Sequence, residues 1–398
     1  MLGAALTSAW LEVASASVSY GVAVRADSRV RSLDASTTQT TTTTPSITGD
    51  AELTPSLSLL FRDGGTQLQA EYAPRLSLRE VTQSARTEVQ HVGRLVGDWR
   101  ADRGLTLHGS QEFVLGRVDL LSTVPVADSP SRPVGDGPLQ PLPQGGSVYF
   151  LSSLTTLGTT TTWLGRGLGL SASAAFAVSG GLNGGAREAV PLQYGPRAQA
   201  ALGWALAQRQ VLSTSVGATD TRFSTGAHAT VLTLTEGWNW RMDRRTSLEA
   251  GMGVGVAQSL SAEGLERTDV LPDLTVAMGY RIPSREYDFT GRLSAHVTPF
   301  VDRLTGQVYP RADVTASGTW MLGPRARVSA TGGTAFAVGG ATADRLILGG
   351  LGASYAFTRW VSVESEARTA WSRSPGVETA RFQWSASLGL AVRQAGIL

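Results

Sequence analysis

The sequence contains no cysteine and no lysine, and it has only 4 histidines among 398 residues. Without cysteine the chain has no disulfide framework, no thiolate metal site and no cysteine nucleophile. All 34 basic residues are therefore arginine, and 32 acidic residues leave a formal charge of only +2. This near balance gives no electrostatic reason to expect a nucleic-acid partner.

Long apolar runs are also missing, since no stretch of 18 apolar residues occurs anywhere in the chain. A transmembrane helix needs about 20 of them, so a helical membrane protein is excluded. Charged residues make up 17% of the chain, against about 25% in soluble domains. No linker or composition shift divides the chain, so we expect one unit rather than several soluble domains.

Apolar and polar residues alternate with a period of two along nearly the whole chain, which is typical of strands with two different faces. Near the end of the chain, Phe382, Trp384 and Leu388 share one face. Arg381 and Gln383 fall on the other face. The alternating segments are longer than ordinary strands of about 5–6 residues. They reach the about 9–11 residues that a membrane-spanning strand needs.

The connections between these segments alternate in length, with eight short turns and nine longer loops. Bacterial outer-membrane barrels have short periplasmic turns and longer external loops. We therefore predict an all-β fold, a transmembrane antiparallel up-and-down β-barrel of about 18 strands with both termini periplasmic. The barrel is expected to occupy residues 10–398, with external loops at 27–50 and 119–146.

Three segments need separate interpretation. Residues 1–9 are small and apolar, with Thr7 and Ala9 at the −3 and −1 positions of a signal-peptidase site. We interpret them as the remnant of a signal peptide, and the alternative is a frayed strand. The Thr/Ser-rich segment 27–50 and the proline-rich segment 119–146 cannot bury much apolar surface. The second either folds into the lumen as a constriction or stays outside as an external loop.

Aromatic residues recur at one end of the predicted strands, and four of them are spaced 40 residues apart, from position 240 to position 360. Amphipathic rings prefer the headgroup layer of a membrane. We therefore predict a periplasmic aromatic girdle formed by Phe61, Trp99, Trp163, Trp204, Trp240, Tyr280, Trp320 and Trp360.

Charged residues fall mainly on the face opposite the apolar one. This predicts either a hydrated pore with opposed rows of charge or an interior partly filled by salt bridges, and about 18 strands normally leave an aqueous channel. Glu236 is an exception, because the alternation turns it toward lipid, through a bulge at Glu236-Gly237 or a carboxylate at the interface. The predicted lumen-lining residues are Glu71, Arg75, Arg94, Asp98, Glu112, Arg197, Glu249, Asp288, Arg292, Arg311, Asp313, Glu364, Arg368 and Arg381.

The histidines give little support for chemistry. Apart from Asp288 on the strand of His296, no carboxylate or second histidine stands at metal-ligand spacing within a strand. His108 and Ser110 share a strand face, and outer-membrane phospholipases use a similar serine and histidine on the lipid side. Here Leu107 and its alternating neighbours occupy the lipid face, so the pair points inward. We expect no enzymatic activity, no metal site and no cofactor.

Three short segments carry a family resemblance: Leu53–Leu57 (LTPSL), Tyr72–Arg75 (YAPR) and Tyr194–Arg197 (YGPR). With hairpins that end in Trp or Tyr and a Gly/Thr/Ser-rich composition, the chain resembles outer-membrane β-barrels of myxobacterial type. Over residues 10–393 it resembles the 18-stranded integral barrels associated with polysaccharide export. The resemblance implies passage of a polymer through the lumen, and a periplasmic export protein without its own membrane-spanning segment as partner.

Three functions stay open at this point. A polysaccharide-export channel requires a wide hydrated lumen, and a porin for small solutes requires a charged constriction. A structural or adhesive barrel of a surface machine requires no through-path. In every case the expected surroundings are the lipids of the outer membrane.

Overall fold

This computed structural model describes residues 17–33, 46–81, 84–102, 104–119, 147–163, 167–284, 287–303, 305–339, 345–373 and 381–397. The predicted signal remnant at 1–9 and nearly all of 119–146 lie outside these residues. The strands are β1 (Ser17–Leu33), β2 (Ser46–Asp63), β3 (Thr66–Tyr72), β4 (Arg75–Val81), β5 (Ser84–Asp102), β6 (Leu105–Asp119), β7 (Ser147–Trp163), β8 (Leu168–Gly181), β9 (Gln193–Ala207), β10 (Gln210–Phe223), β11 (His228–Arg241), β12 (Thr246–Leu260), β13 (Glu266–Ile282), β14 (Tyr287–Val301), β15 (Val308–Leu322), β16 (Ala326–Ala337), β17 (Arg345–Ala356), β18 (Val361–Arg373) and β19 (Arg381–Ile397), and one short helix, α1 (Gly184–Ala189), lies between β8 and β9.

The strands form one closed antiparallel sheet. Apart from β3 and β4, successive strands pair with each other, and β19 returns to pair with β1 from Ser19↔Ile397 to Arg31↔Ser385. β3 and β4 both lie between β2 and β5, interrupted at Ala73-Pro74, where proline has no N–H to donate. They are two halves of one wall strand, so the barrel has 18 strand positions. The prediction of an antiparallel barrel of about 18 strands is confirmed.

At one end of the barrel the connections are two to four residues long, and at the other end most are longer, as predicted. The connection between β4 and β5 is an exception, because β4 ends at Val81 and β5 begins at Ser84. The eight short turns, the first residues of β1 and the last residues of β19 lie at one end of the barrel, which we call the short-turn end. The other connections lie at the opposite end, the loop end. One boundary was wrong. β1 continues to Leu33 and β2 begins at Ser46, so residues 27–33 and 46–50 of the loop predicted at 27–50 belong to strands. Residues 25–31 form a strand because their polar and small or apolar side chains alternate with a period of two.

The outer face is apolar along most of its height. In β13, Val270, Leu274 and Val276 are 71%, 45% and 54% exposed, and they alternate with inward positions. Such a surface is stable against hydrocarbon, and a closed barrel leaves no sheet edge unpaired there. No helix among the described residues is long and apolar enough to cross a bilayer. The protein is an integral outer-membrane barrel, as predicted.

The wall is incomplete between β13 and β14. β13 pairs with β12 over its whole length, but its pairing with β14 begins only at Leu274↔Val297. Continuing this register would set Pro272 opposite Pro299, and Pro299 is opposite Pro310 on β15. These three prolines, the proline row, cannot donate ladder hydrogen bonds. From these prolines toward the loop end, β14 and β15 stay paired with each other but leave the barrel wall.

Candidate functional site

The inner face of the barrel follows from strand alternation. In β1, Val22 and Val24 are 44% and 42% exposed on the outer side, whereas Asp27 on the inner side is 8% exposed. The cross-strand registers carry this assignment from one strand to the next around the barrel. The lumen that they enclose is the candidate functional site.

One part of the lumen wall is densely charged. It comprises the inner faces of β18, β19, β1, β2, β3, β4, β5 and β6, and we call it the charged sector. At its centre the Arg25 guanidinium contacts Asp27 at 2.7 Å and Glu364 at 2.8 Å. Arg393 contacts the other oxygen of Glu364 at 2.6 Å. Both acidic residues lie opposite Gly389, which has no side chain to separate them.

Further ion pairs extend the charged sector along the barrel. Arg31 and Asp50 approach to 2.9 Å, and their side chains are only 5% and 8% exposed. Because each of these paired cations has a carboxylate close by, this part of the wall presents local dipoles. The other pairs of this sector are Arg94–Glu112 at 3.0 Å, Arg117–Glu88 at 3.0 Å, Arg368–Glu366 at 2.7 Å, Arg29–Glu52 at 3.8 Å and Arg75–Glu52 at 3.9 Å.

The inner faces of β7–β12 form a contrasting small-residue sector. Their inward positions are mostly Gly, Ala, Ser and Thr, and hydroxyl groups pair across strands, as Ser215 does with Thr235. The charged residues on the described inner strand faces here are Arg197, Arg241 and Glu249. Inward positions of this sector include Ser171, Ser173, Ala175, Gln199, Ala201, Ser213, Gly217, Thr233, Gly251 and Gly253.

The registers place the predicted lumen residues on the inner face, and most form ion pairs. Their part in a transport path stays a prediction. Glu71 lies opposite Arg94, and Arg197 opposite Thr219. Arg381 begins β19, and its side chain is outside the described residues. The remaining contacts are Asp98–His108 at 2.6 Å, Glu249–Arg292 at 2.7 Å, Asp288–Arg281 at 2.8 Å and Arg311–Asp313 at 2.9 Å, besides the pairs of Arg75, Arg94, Glu112, Glu364 and Arg368 given above.

Sequence reasoning missed the centre of the charged sector. Arg25, Asp27 and Arg29 lie at or beside the start of the segment assigned to a loop, and Glu52 and Arg393 were not selected. A signal was present, because residues 25–31 read RADSRVR, with a charge at every second position. This period of two is the strand pattern itself. The segment was lost because its apolar positions are mostly small.

The predicted aromatic girdle lies at the short-turn end, on or beside the outer face. Trp99, Tyr280 and Trp320 are 53%, 37% and 37% exposed. Trp240 stacks on Trp238 with ring centroids 5.4 Å apart, and the Arg359 guanidinium lies 4.4 Å from the Trp360 ring. Phe61, Trp163 and Trp204 occupy the corresponding ends of β2, β7 and β9. The periplasmic side of this end stays a prediction.

Two polar groups face outward within the apolar surface. Glu236 lies on the outer face, where Thr214 donates a hydrogen bond to its Oε1 at 2.7 Å. The β10–β11 register is continuous through Glu236, so the proposed bulge is absent and the carboxylate itself faces the membrane. The Gln111 amide donates to Ser153 at 2.9 Å and accepts from Thr155. Both groups obtain partners within the protein, as a lipid-facing polar group must.

Three of the histidines each pair with one neighbouring polar side chain. His108 faces the lumen, as expected, and its Nδ1 is 2.6 Å from Asp98 Oδ1. His228 pairs with Asp220 near the loop end, and His91 bonds with Tyr72 on the outer face. Within the described residues no group of three metal-ligating side chains occurs.

A constriction of the lumen comes from the β14–β15 hairpin above the proline row, residues 299–310, which we call the inner hairpin. Arg303 at its tip donates to Ser179 Oγ at 2.9 Å and to Gln193 Oε1 at 3.2 Å, on the inner faces of β8 and β9. Burial among neutral groups lowers the pKa of Arg303 to about 10. Residues 119–146, predicted either to fold into the lumen or to stay outside as an external loop, lie almost wholly outside the described residues.

Comparison with known proteins agrees with this architecture. A family model described as the EpsX exopolysaccharide export family matches residues 10–398. Among solved structures, the FrpB iron transporter from Neisseria meningitidis (F5-1 variant) superposes with a TM-score of 0.50 at 10% identity. That match covers 90% of this chain but only 64% of FrpB.

In two further matches to solved structures, nearly the whole of both chains is covered. Pseudomonas aeruginosa OpdL has a TM-score of 0.45 at 12% identity, with 96% of this chain and 99% of that chain covered. Acinetobacter baumannii OccAB4 has a TM-score of 0.47 at 9% identity, with 95% and 98% covered. No curated protein matches the chain by sequence.

Proposed function

Since the chain belongs to the EpsX exopolysaccharide export family, we propose that an exopolysaccharide leaves the cell through the lumen of this barrel. The family match over residues 10–398 is the observation that carries the proposal. A periplasmic export protein is expected to deliver the polymer at the short-turn end. In this proposal the barrel contributes a path and no catalysis.

The two lumen sectors support this function by their chemistry. A polysaccharide presents hydroxyl groups, and each hydrogen bond to a wall is exchanged against water at a small net gain. The small-residue sector offers single hydroxyls and glycines, so a chain sliding past it meets many weak contacts. The charged sector holds its cations in pairs, so it does not trap an acidic polymer at one point.

The experiment compares two triple variants in a strain whose own gene is deleted. Ser173, Ser215 and Gly251 face the lumen, each five residues into its strand from the short-turn end. Changing all three to Trp places three large rings in the lumen. The control changes the adjacent outer residues Ala174, Val216 and Met252 to Trp, where rings face lipid.

We expect the inner variant to abolish or strongly reduce secreted exopolysaccharide while the outer variant secretes normally. Both must run as folded, heat-modifiable barrels on gels. Normal secretion by a folded inner variant would contradict passage through the lumen.

The inner hairpin favours one second candidate, a diffusion channel for small solutes, because it narrows the lumen at the loop end. The purified barrel in a planar bilayer distinguishes the two. Exopolysaccharide fragments should block the ion current if the polymer enters the lumen. Steady current without block would favour the small-solute channel.

A further inference from the structure

The inner hairpin makes apolar contacts on the lumen side of the wall. Val308 is 3% exposed and belongs to a buried cluster with Val231, Ala257 and Leu271. These three partners are inward positions of β11, β12 and β13, since their alternating neighbours are the exposed outer residues. The hairpin therefore lies inside the barrel, against the wall that it has left.

Glycine makes room for this position. A Cβ at Gly255, on the inner face of β12, would lie 2.7 Å from the Pro299 Cγ atom. A Cβ at Gly306 would lie 2.5 Å from that of Ala227, and Gly306 has a φ of 75°, which side chains rarely adopt. Larger residues at these positions would push the hairpin away from the wall.

The tip is held by two hydrogen bonds from one side chain. Arg303 bonds two neutral acceptors, Ser179 and Gln193. A buried guanidinium without a carboxylate at its bonded nitrogens loses hydration that these two bonds only partly replace. The low pKa of Arg303 has the same cause. Because lost hydration offsets part of the energy of the two hydrogen bonds, only a small free energy is needed to release the tip.

The wall offers the hairpin a second position. The stretch Glu266–Asp273 of β13 has β12 on one side and no pairing with β14 on the other. If the hairpin moved outward, β14 could extend its pairing with β13 past the proline row. The inward position gains the apolar cluster and the Arg303 contact, whereas the outward position gains backbone hydrogen bonds. Each position gains one set of contacts and gives up the other, and such a pair of alternative packings is the basis of a conformational switch.

We propose that the inner hairpin is a gate, which closes the lumen when it packs against β8–β13 and opens it when it joins the wall beside β13. The proline row is the hinge, because the ladder is already broken there, and Arg303 is the latch. The proposal rests on the proposed function, in that it controls the same lumen.

The first experiment measures the position of the hairpin without reference to transport. The chain has no native cysteine, so Val308→Cys is a single reporter that is buried when the hairpin lies inside. Its labelling rate with a water-soluble maleimide follows the population of the outward position. Gly255→Val adds bulk against Pro299, and Gly251→Val is the matched control, because a Cβ at Gly251 meets nothing closer than 3.6 Å.

We expect Gly255→Val to raise the labelling rate about tenfold or more over Gly251→Val, as a shift in a two-state population does. Arg303→Ala should raise it as well, since it removes the latch. Equal rates in Gly255→Val and Gly251→Val would overturn the proposal. This readout does not depend on polymer export, so a failed export experiment leaves it intact.

The second experiment locks the gate. In the double variant Gly255→Cys with Pro299→Cys, the two sulfurs can bond because the Cβ of one already approaches the side chain of the other. Under oxidation we expect the current through a planar bilayer to stay at its lowest level, and a reductant should restore the higher level. An oxidised protein with unchanged current levels would show that the hairpin does not control the lumen.

Discussion

The charged sector and the small-residue sector share one sheet, one strand geometry and one lumen, yet they reach a polar inner face by opposite means. In the charged sector, Arg25 and Glu364 are long side chains that neutralise one another. In the small-residue sector, Gly217 and Ser215 leave the space free and the backbone close to the lumen. The two sectors therefore respond differently to a substitution. Losing one partner leaves an unpaired charge in the charged sector, whereas it removes only a weak hydrogen bond in the small-residue sector.

The largest effect is expected from breaking a buried pair in the charged sector. Asp50→Asn leaves the Arg31 guanidinium, only 5% exposed, without its carboxylate. We expect a loss of about 3–5 kcal/mol in the free energy of unfolding. Urea unfolding followed by tryptophan fluorescence measures it.

The matched variant in the small-residue sector is Thr235→Val, which removes the hydroxyl paired with Ser215. One neutral hydrogen bond contributes only about 1 kcal/mol. Equal losses in Asp50→Asn and Thr235→Val would mean that the two sectors respond alike to the loss of a side-chain partner.

The next effect concerns ion selectivity. Glu364→Gln leaves Arg25 and Arg393 facing the lumen without their shared carboxylate. We expect the reversal potential across a salt gradient to shift toward anion selectivity, and Arg368→Gln to shift it in the opposite direction. The shifts should shrink at high salt, where the Debye length falls to about 3 Å at 1 M. Shifts of the same sign in both variants would contradict the balance of positive and negative charge in this sector.

A smaller effect is expected on the outer face. Thr214→Val removes the hydrogen bond to Glu236, at a cost of about 1 kcal/mol. Val216→Ala, at the next outer position of β10, removes apolar surface without removing a hydroxyl and is the control. If Thr214→Val is silent, the Glu236 carboxylate reaches the headgroup layer without help from Thr214.

The smallest effect belongs to neither sector. Asp243 lies in the turn between β11 and β12, and backbone N–H groups of Arg245 and Thr246 donate to it and lower its pKa. A lowered pKa stabilises the fold above the unfolded value, near 4. That stabilisation is lost as the pH falls through the folded value. Asp243→Asn should therefore flatten the acid limb of the unfolding curve slightly, and an unchanged limb would contradict this.

The fold was predictable because the signal repeats in every strand. Alternation, strand length and turn spacing each indicated a barrel of about 18 strands, and an error such as the segment 27–50 could not change the count. The inner hairpin was not predictable in the same way. Pro272 is distant in sequence from Pro299 and Pro310, and only the register, continued past Leu274↔Val297, sets the three prolines at one level of the wall.

The sequence predicted which side chains line the lumen, but it did not predict which of them form ion pairs with each other. Alternation assigns a side chain to a face, which is enough to select Glu364 and Arg368. It does not tell which cation a carboxylate meets, because that depends on strands far apart in the chain. Arg25 and Glu364 are 339 residues apart and two strands apart in the wall.

That distance has a consequence for how the molecule is made. The Arg25–Glu364 pair bridges β1 and β18 across β19, so it can form only after the first strand has met the last. Contacts of such wide sequence separation form late and slowly. Until then β1 and β19 each expose an unpaired edge, which is a site for mispairing. Closure of this seam is therefore the step at which a nascent chain most needs an assembly factor to hold its two ends apart from other strands.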